Sequence, residues 1–251
     1  MEEWYHYVLL IVVGYIVGFI NTVAGGASLI SLPVLIFLGL PPAVANGTNR
    51  VAIVVQTSMA VLGFKSKGVS TFPFNIYLGL SALLGSVLGA SIAVDIRGET
   101  FNRILAVIMV LVVVLMVFRP KINLEDLAER IQGKHLWIAI GAFFFVGIYG
   151  GFINAGIGFI ILLFLHYVNH LSLVRANATK VAVVLVYTLA ALAVFIFHDK
   201  VIWKVGGVLA LGNGLGAWTA SRVSVAKGDG FVRRFLLLMV LAMAVKLWFF
   251  N

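Results

Sequence analysis

Long apolar runs set the terms for this chain. Between short islands of charge lie stretches of about 18 to 22 apolar residues, the length that spans ~30 Å of hydrocarbon as a helix. Of 251 residues, 62% are hydrophobic and 11% charged, and the mean hydropathy is +1.11. A soluble domain is nearer half apolar and has no interior large enough to hide this much apolar surface. The expected fold class is an all-α polytopic membrane protein with the lipid bilayer as its solvent. The net charge of +9 comes with no basic tail and no basic stripe interleaved with aromatics, so nucleic acid is not an expected partner. In a membrane chain, excess Lys and Arg marks cytoplasmic loops. The absence of cysteine removes disulfides, thiolate nucleophiles and thiolate metal sites. MEEWYHYVLL, with two acids and no Lys or Arg, makes a poor signal peptide.

The chain also repeats itself. GFIN at 18–21 returns at 151–154, ANGT at 45–48 as ANAT at 176–179, GSVLGA at 85–90 as GNGLGA at 212–217, and RGETFNR at 97–103 as KGDGFVR at 227–233. Four matches in one order, at similar spacing, indicate a duplication. The halves run 1–118 and 136–251. They are joined by the polar stretch RPKINLEDLAERIQGKH at 119–135, a cytoplasmic linker whose LEDLAERI portion is expected to form a short surface helix.

Each half holds five apolar segments, near 4–20, 27–40, 43–64, 74–94 and 101–118, then 136–153, 157–169, 173–197, 201–221 and 231–249. The second of each half is too short to cross alone, reaching about 21 Å at 1.5 Å per residue. Either it is re-entrant, giving eight crossings, or it completes a crossing with the broken chain beside it, giving ten. With five crossings per half, one side collects Lys65, Lys67, Arg119, Lys121, Arg130, Lys134, Arg175, Arg222, Lys227, Arg233 and Arg234. The other receives only Arg97, Arg103, Lys200, Lys204 and Lys246. Four crossings per half nearly equalise the sides, so the bias favours five. An odd number per half makes the halves inverted repeats, a common plan of secondary transporters.

Polar residues inside these segments carry the chemistry. Gly25 and Gly26, and Gly156 and Gly158, interrupt helices and free backbone N–H groups, which at a helix start form a positive end suited to anions. Asn21, Thr22 and Ser28 accompany the first break and Asn154 the second. Asn46, Thr48 and Asn49 precede Arg50, and Asn177 and Thr179 precede Lys180. Pro41 and Pro42 suit one helix start, and Ser172 suits an N-cap for the other. Counted inward, both cations lie about nine residues, or ~13 Å, into their helices. A cation at that depth costs about 2.5–3.5 kcal/mol. All nine carboxylates fall in tails, loops or segment ends. A transported anion is therefore the expected counter-charge. The open alternative is that the cations snorkel to an interface or bond backbone carbonyls in the breaks. Gln56 and Tyr187, one to two turns further on, are expected to support the site. Gly85, Gly89, Gly212 and Gly216 read as close helix contacts. His166, near a segment end, reads as a cap. No cofactor or metal is called for, and no Ser–His or HExxH arrangement suggests an enzyme.

FINTVAGGASLISLPVLIFLGLPPAVANGTNR, followed by RANATKV and a late GNGLGA, resembles the TauE/SafE family of sulfite exporters and related anion transporters. The resemblance covers nearly the whole chain. It implies carriage of sulfite, sulfonates or similar anions across the bacterial cell inner membrane. It also draws attention to Asn21, Gly25, Gly26, Asn46, Thr48, Asn177 and Lys180. The chain departs from the family pattern at AGGAS, where a third glycine is expected, and at Arg50, where lysine is frequent. An anion channel using the same site as a filter is the alternative to a carrier. The particular anion, the direction, the coupling ion and the oligomeric state stay open at this level.

Overall fold

A computed structural model describes residues 4–26, 28–117 and 128–249. Among the described residues it is all helical: α1 (Trp4–Val23), α2 (Ser28–Phe37), α3 (Pro42–Lys65), α4 (Phe74–Asp95), α5 (Gly98–Val117), α6 (Gly133–Phe152), α7 (Ile157–Tyr167), α8 (Leu173–Phe197) and α9 (Trp203–Phe249). Gly228 breaks α9 with φ 68° and ψ −171°, so the ten apolar segments each find a helix. By length and composition, α1, α4, α6 and α8 are long and apolar enough to cross a membrane. The two short helices have 10 and 11 residues, about 15–17 Å of rise. The first half of the LEDLAERI stretch, 124–127, lies outside the described residues, and the rest, 128–131, is not helical.

Glycines fix which helices touch. Gly85 and Gly89 of α4 lie against Phe144 O and Ile148 O of α6, while Gly212 and Gly216 of α9 lie against Ile11 O and Tyr15 O of α1. These are the expected close contacts of small residues in a membrane bundle. The same contacts give direction. Positions rise together along α4 and α6, and along α1 and α9. On α3, Thr48 and Val51 meet Gly206, Val55 meets Gly214, and Gly63 meets Ser221, so α3 also runs with the first part of α9. Thr71 meets Thr179, Gly79 meets Val186, and Ala90, Ala93 and Val94 share a cluster with Ala191 and Phe195, so α8 runs with α4. One set, α1, α3 and early α9, therefore points one way. Arg50 lies near Phe195 and Thr57 near Val181 and Val184, so α3 and α8 are antiparallel, and α4, α6 and α8 point the other way.

At one end the linker, the α7–α8 loop and the α9 break come together. Asn169 and Arg130 exchange two hydrogen bonds of 2.8 Å through Asn169 O and its amide, and Arg175 pairs with Glu129 at 2.7 Å. Ser172 caps α8 as expected, accepting from the Arg175 N–H at 3.3 Å. The Gly228 break also brings the Asp229 carboxylate onto the same helix start, where it accepts from the Leu173 and Val174 N–H groups at 2.7 and 2.9 Å. Two orphan donors of the first turn are thus satisfied by a charged acceptor at the positive helix end. Glu99, the matching acid of the first half, instead pairs with exposed Arg103. Proline at Pro42 leaves α3 no N–H there to offer. His166 lies 2.8 Å from Leu171 O through Nδ1, closing the turn after α7.

Candidate functional site

The two glycine breaks touch. Gly25 sits at φ +83°, a conformation that glycine adopts without the penalty a side chain would bring. A Cβ added to Gly158 would lie 2.7 Å from Gly25 O, and Phe159 N–H donates to Gly25 O at 3.1 Å. The end of α1 and the start of α7 are thereby held against each other, with Ala155, Gly156 and Asn154 turning the chain between α6 and α7. Asn154 is itself left-handed at φ 58°.

Each break is clamped by the opposite half. Arg50 on α3 donates to Gly150 O at 3.1 Å, to Gly151 O, and to Asn46 Oδ1 at 3.4 Å, while Asn46 Nδ2 donates to Phe152 O at 2.7 Å. Lys180 on α8 donates to Asn21 O and Thr22 O at 3.0 Å each and to Asn177 Oδ1 at 2.6 Å. Asn177 Nδ2 donates to Val23 O at 2.9 Å. Helix C-terminal carbonyls carry the negative end of the helix dipole and lack intrahelical partners, so a buried cation and amide from the other half complete α6 and α1. This is the carbonyl-bonded arrangement left open by the sequence. The partners are dipoles rather than charges, and among the described residues neither cation pairs with a carboxylate.

The two cations are not equivalent. A small cavity of ≈ 10 Å³ is lined by Lys180, Asn21, Gln56, Asn154, Gly158 and Thr57, with apolar walls from Ile157, Val181 and Val184. Lys180 therefore faces space at the start of α7. Arg50 does not line this cavity; it is fully buried and covered by the Phe195 ring, 4.8 Å from its guanidinium carbon. The cavity has room for about one water, and anything larger fits only if the surrounding helices separate.

Amides line the cavity in two matching networks. Asn21 Nδ2 and Asn213 Nδ2 both donate to Gln56 Oε1 at 3.3 Å. In the other half, Tyr187 Oη donates to Asn154 Oδ1 at 2.6 Å and Ser86 Oγ donates to Tyr187 O at 2.9 Å. Gln56 thus hydrogen-bonds Asn21, and Tyr187 hydrogen-bonds Asn154.

Of the expected site residues, Asn21, Asn154, Gly158, Lys180 and Gln56 converge on the cavity. Thr22 and Gly25 contribute backbone; the Thr22 hydroxyl is buried without a hydrogen-bond partner among the described residues. Gly26 accepts from Leu29 N–H at 3.2 Å, starting α2. Thr48 and Thr179 serve loops instead: Ile202 N–H donates to Thr48 Oγ1 at 3.0 Å, and the Thr179 and Thr71 hydroxyls lie 2.8 Å apart. Asn49 is buried, and its Oδ1 has no partner. Ser28 opens α2; its side chain is outside the described set. Sequence reasoning misses Thr57, which stands directly after Gln56 and before Ser58 in an otherwise apolar stretch of α3. Ser86 and Asn213, which stand out inside the glycine contact patterns of the sequence, bond Tyr187 and Gln56 rather than line the cavity.

A helical bundle with an apolar exterior, two touching helix breaks and an amide-lined cavity at their junction defines a polytopic membrane transporter. The chain belongs to the sulfite exporter TauE/SafE family, whose profile matches residues 10–247. It is 28% identical over 238 residues to a probable membrane transporter protein, ORF9, of Sinorhizobium sp, covering 95% of this chain and 90% of that one. Identity is 29% over 239 residues to a probable membrane transporter protein of Haemophilus influenzae, covering 95% and 93%. It is 28% over 240 residues to the probable membrane transporter protein YfcA of Escherichia coli, covering 95% and 88%. No solved structure matches. The family and these relatives are membrane transporters, not enzymes.

Proposed function

We propose that the protein is a secondary transporter of a small oxyanion, sulfite or an organosulfonate, across the bacterial cell inner membrane, with Lys180 as the cation the cargo meets. The observation carrying this reading is Lys180 itself: buried, facing a cavity shared with Asn21, Asn154, Gln56 and the start of α7, and paired only with neutral oxygens. An ammonium has three hydrogens, and all three are committed. An oxyanion entering the cavity offers a charged acceptor, roughly twice as strong as a neutral one. It draws Lys180 away from Asn21 O and Thr22 O and so loosens the end of α1. Cargo binding and movement of the break are in this way one event.

Ten crossings and an inverted repeat are part of the same proposal. What supports them is direction: α1 and α3 run parallel, so α2 and its flanking chain must return across the bundle between them. α6 and α8 run parallel too, and α7 returns. Matched helices of the two halves, α1 with α6 and α3 with α8, then point oppositely, as inversion requires. The small cavity favours a carrier over an open pore.

The test is flux in liposomes with sulfite, sulfate, thiosulfate, sulfoacetate and taurine, under imposed voltage, Na⁺ and pH gradients. Saturable flux of at least one sulfur oxyanion that is accelerated by the same anion on the far side supports a carrier. Absence of flux for every anion removes the proposal, and single-channel currents replace it with a pore.

A further inference from the structure

We infer that the anion travels along the seam between α3 and α8, and that a recess where α3 ends, rimmed by Lys65 and Ser70, is an outer binding site for the same class of oxyanion. The inference rests on the reading of Lys180 as the cation that meets the cargo. A second cavity of ≈ 120 Å³ lies between the end of α3, the α3–α4 loop and α8; Val61 and Phe64 line it from α3 and Ala178 and Ala182 from α8. The inner cavity is lined by Thr57 of α3 and Val181 of α8. Thr57 and Val61 are four residues apart, one helical turn or about 6 Å. Ala178 and Val181 are three apart on an antiparallel neighbour. The two cavities are thus successive spaces in one seam, separated by about one layer of side chains.

The recess suits an oxyanion and has an outlet. Lys65 and Ser70 are exposed at its rim, while Phe64 and Thr71 are buried at its floor. Asn75 lines it with a buried Oδ1 that has no hydrogen-bond partner among the described residues. Reversing that amide turns an orphan acceptor into a donor for an anion. The floor also joins the inner site: the Thr71 hydroxyl touches that of Thr179, the residue before Lys180. Two small side chains, Ala178 and Ala182, keep the space open.

The other end of the seam is shut. A Cβ on Gly47 would lie 2.8 Å from Cδ1 of Phe195, and the same ring covers Arg50. Phe64 is the matching residue of the first half by the spacing of the repeats, yet it borders the open recess. Of the two ends of the seam, the Lys65 end therefore carries the open recess, and the loop charges assign that end to the cytoplasm.

The chain has no cysteine, so a single introduced thiol reports without background. The full-length Ser70→Cys protein in liposomes is labelled with the anionic reagent methanethiosulfonate ethylsulfonate and with its cationic trimethylammonium counterpart. His198→Cys at the other end serves as reference. Relative to that reference, the anionic reagent should be favoured in Ser70→Cys, and adding Lys65→Gln should slow the anionic reagent and speed the cationic one by about threefold each, as one nearby charge at the surface does, so that the preference falls about ninefold. Sulfate should slow the labelling; sulfite is avoided because it cleaves mixed disulfides. Labelled protein, and separately Ala182→Phe with an unchanged elution profile, should lose at least about tenfold in flux, as a filled path demands. Equal reactivity toward both reagents, or full flux after complete labelling, overturns the inference. If the unlabelled parent carries no anion at all, it is the transport reading that fails. If it carries anions while the introduced thiol shows neither preference nor block, only the recess is refuted.

Discussion

Arg50 and Lys180 occupy matching places in the repeat and make matching bonds, yet the geometry gives them different work, and paired methionine substitutions separate the two. Arg50→Met strands Gly150 O, Gly151 O and Asn46 Oδ1. Three buried acceptors left unsatisfied cost about 1–3 kcal/mol each, or roughly 3–9 together. Against this stands about 3 kcal/mol recovered by no longer holding a cation in the bilayer interior, leaving a net loss of about 3 kcal/mol near the middle of the range. Lys180→Met strands Asn21 O, Thr22 O and Asn177 Oδ1, so the same reasoning gives a similar loss. Unliganded stability therefore falls alike in both. The response to ligand does not. A ligand present at 100 times its Kd stabilises by about 2.7 kcal/mol. Thermal unfolding of the purified protein in detergent, titrated with sulfoacetate and with sulfite, should show that increment in the parent and in Arg50→Met. Lys180→Met should show none. If Lys180→Met keeps the shift, or Arg50→Met loses it equally, the distinction between a cation that faces the cavity and one sealed under Phe195 is refuted.

Two further outcomes follow from local geometry. Asp229→Asn removes the charge that caps α8 across the bundle; it should lower stability by about 1 kcal/mol and raise amide exchange at Leu173 and Val174, and unchanged protection there refutes the cap. Gly158→Ala sets a Cβ 2.7 Å from Gly25 O and should force the two breaks apart with loss of flux, whereas Gly207→Ala, with nothing within 4 Å, should leave flux intact; equal behaviour of the two would mean that the contact of the breaks is irrelevant to transport.

The elements were legible because their signals are local. A run of apolar residues ended by Pro41 and Pro42, a Ser172 cap and a glycine pair each act within a turn of themselves, and duplication doubled every such signal. Which carbonyls the cations bond was not legible, for two reasons. Every residue carries one, and those used lie in the opposite half, 100 residues from Arg50 and 158 from Lys180. Counting carboxylates found that no acid waits for these cations and left bonding to carbonyls in the breaks as an open alternative. The inequality of Arg50 and Lys180 was equally out of reach. It depends on where the Phe195 ring and its counterpart Phe64 settle, and both are simply aromatic residues near the end of a helix. Asn21 and Asn154, by contrast, stand out in the sequence as an amide repeated beside a repeated glycine break, and both line the inner cavity.

Direction also bears on the count of crossings, which loop charge could only favour. If α2 and α7 were re-entrant loops, α1 and α3 would cross the bilayer in opposite senses. The contacts of α3 with early α9 at Gly206, Gly214 and Ser221, and of α1 with the same helix at Gly212 and Gly216, both run in one sense, which supports the ten-crossing proposal. Two exposed positions convert this into an outcome. With ten crossings, Lys67 and His198 lie on opposite faces of the membrane; with eight they share a face. Single thiols at Lys67→Cys and His198→Cys, in a chain otherwise without cysteine, can be challenged in intact cells with a maleimide that does not cross the inner membrane. His198→Cys should react from outside and Lys67→Cys only after the membrane is opened. Reaction of both from the same face would require α1 and α3 to be antiparallel, and with that the inverted repeat, the opposed helix ends and the site built between them would all have to be abandoned.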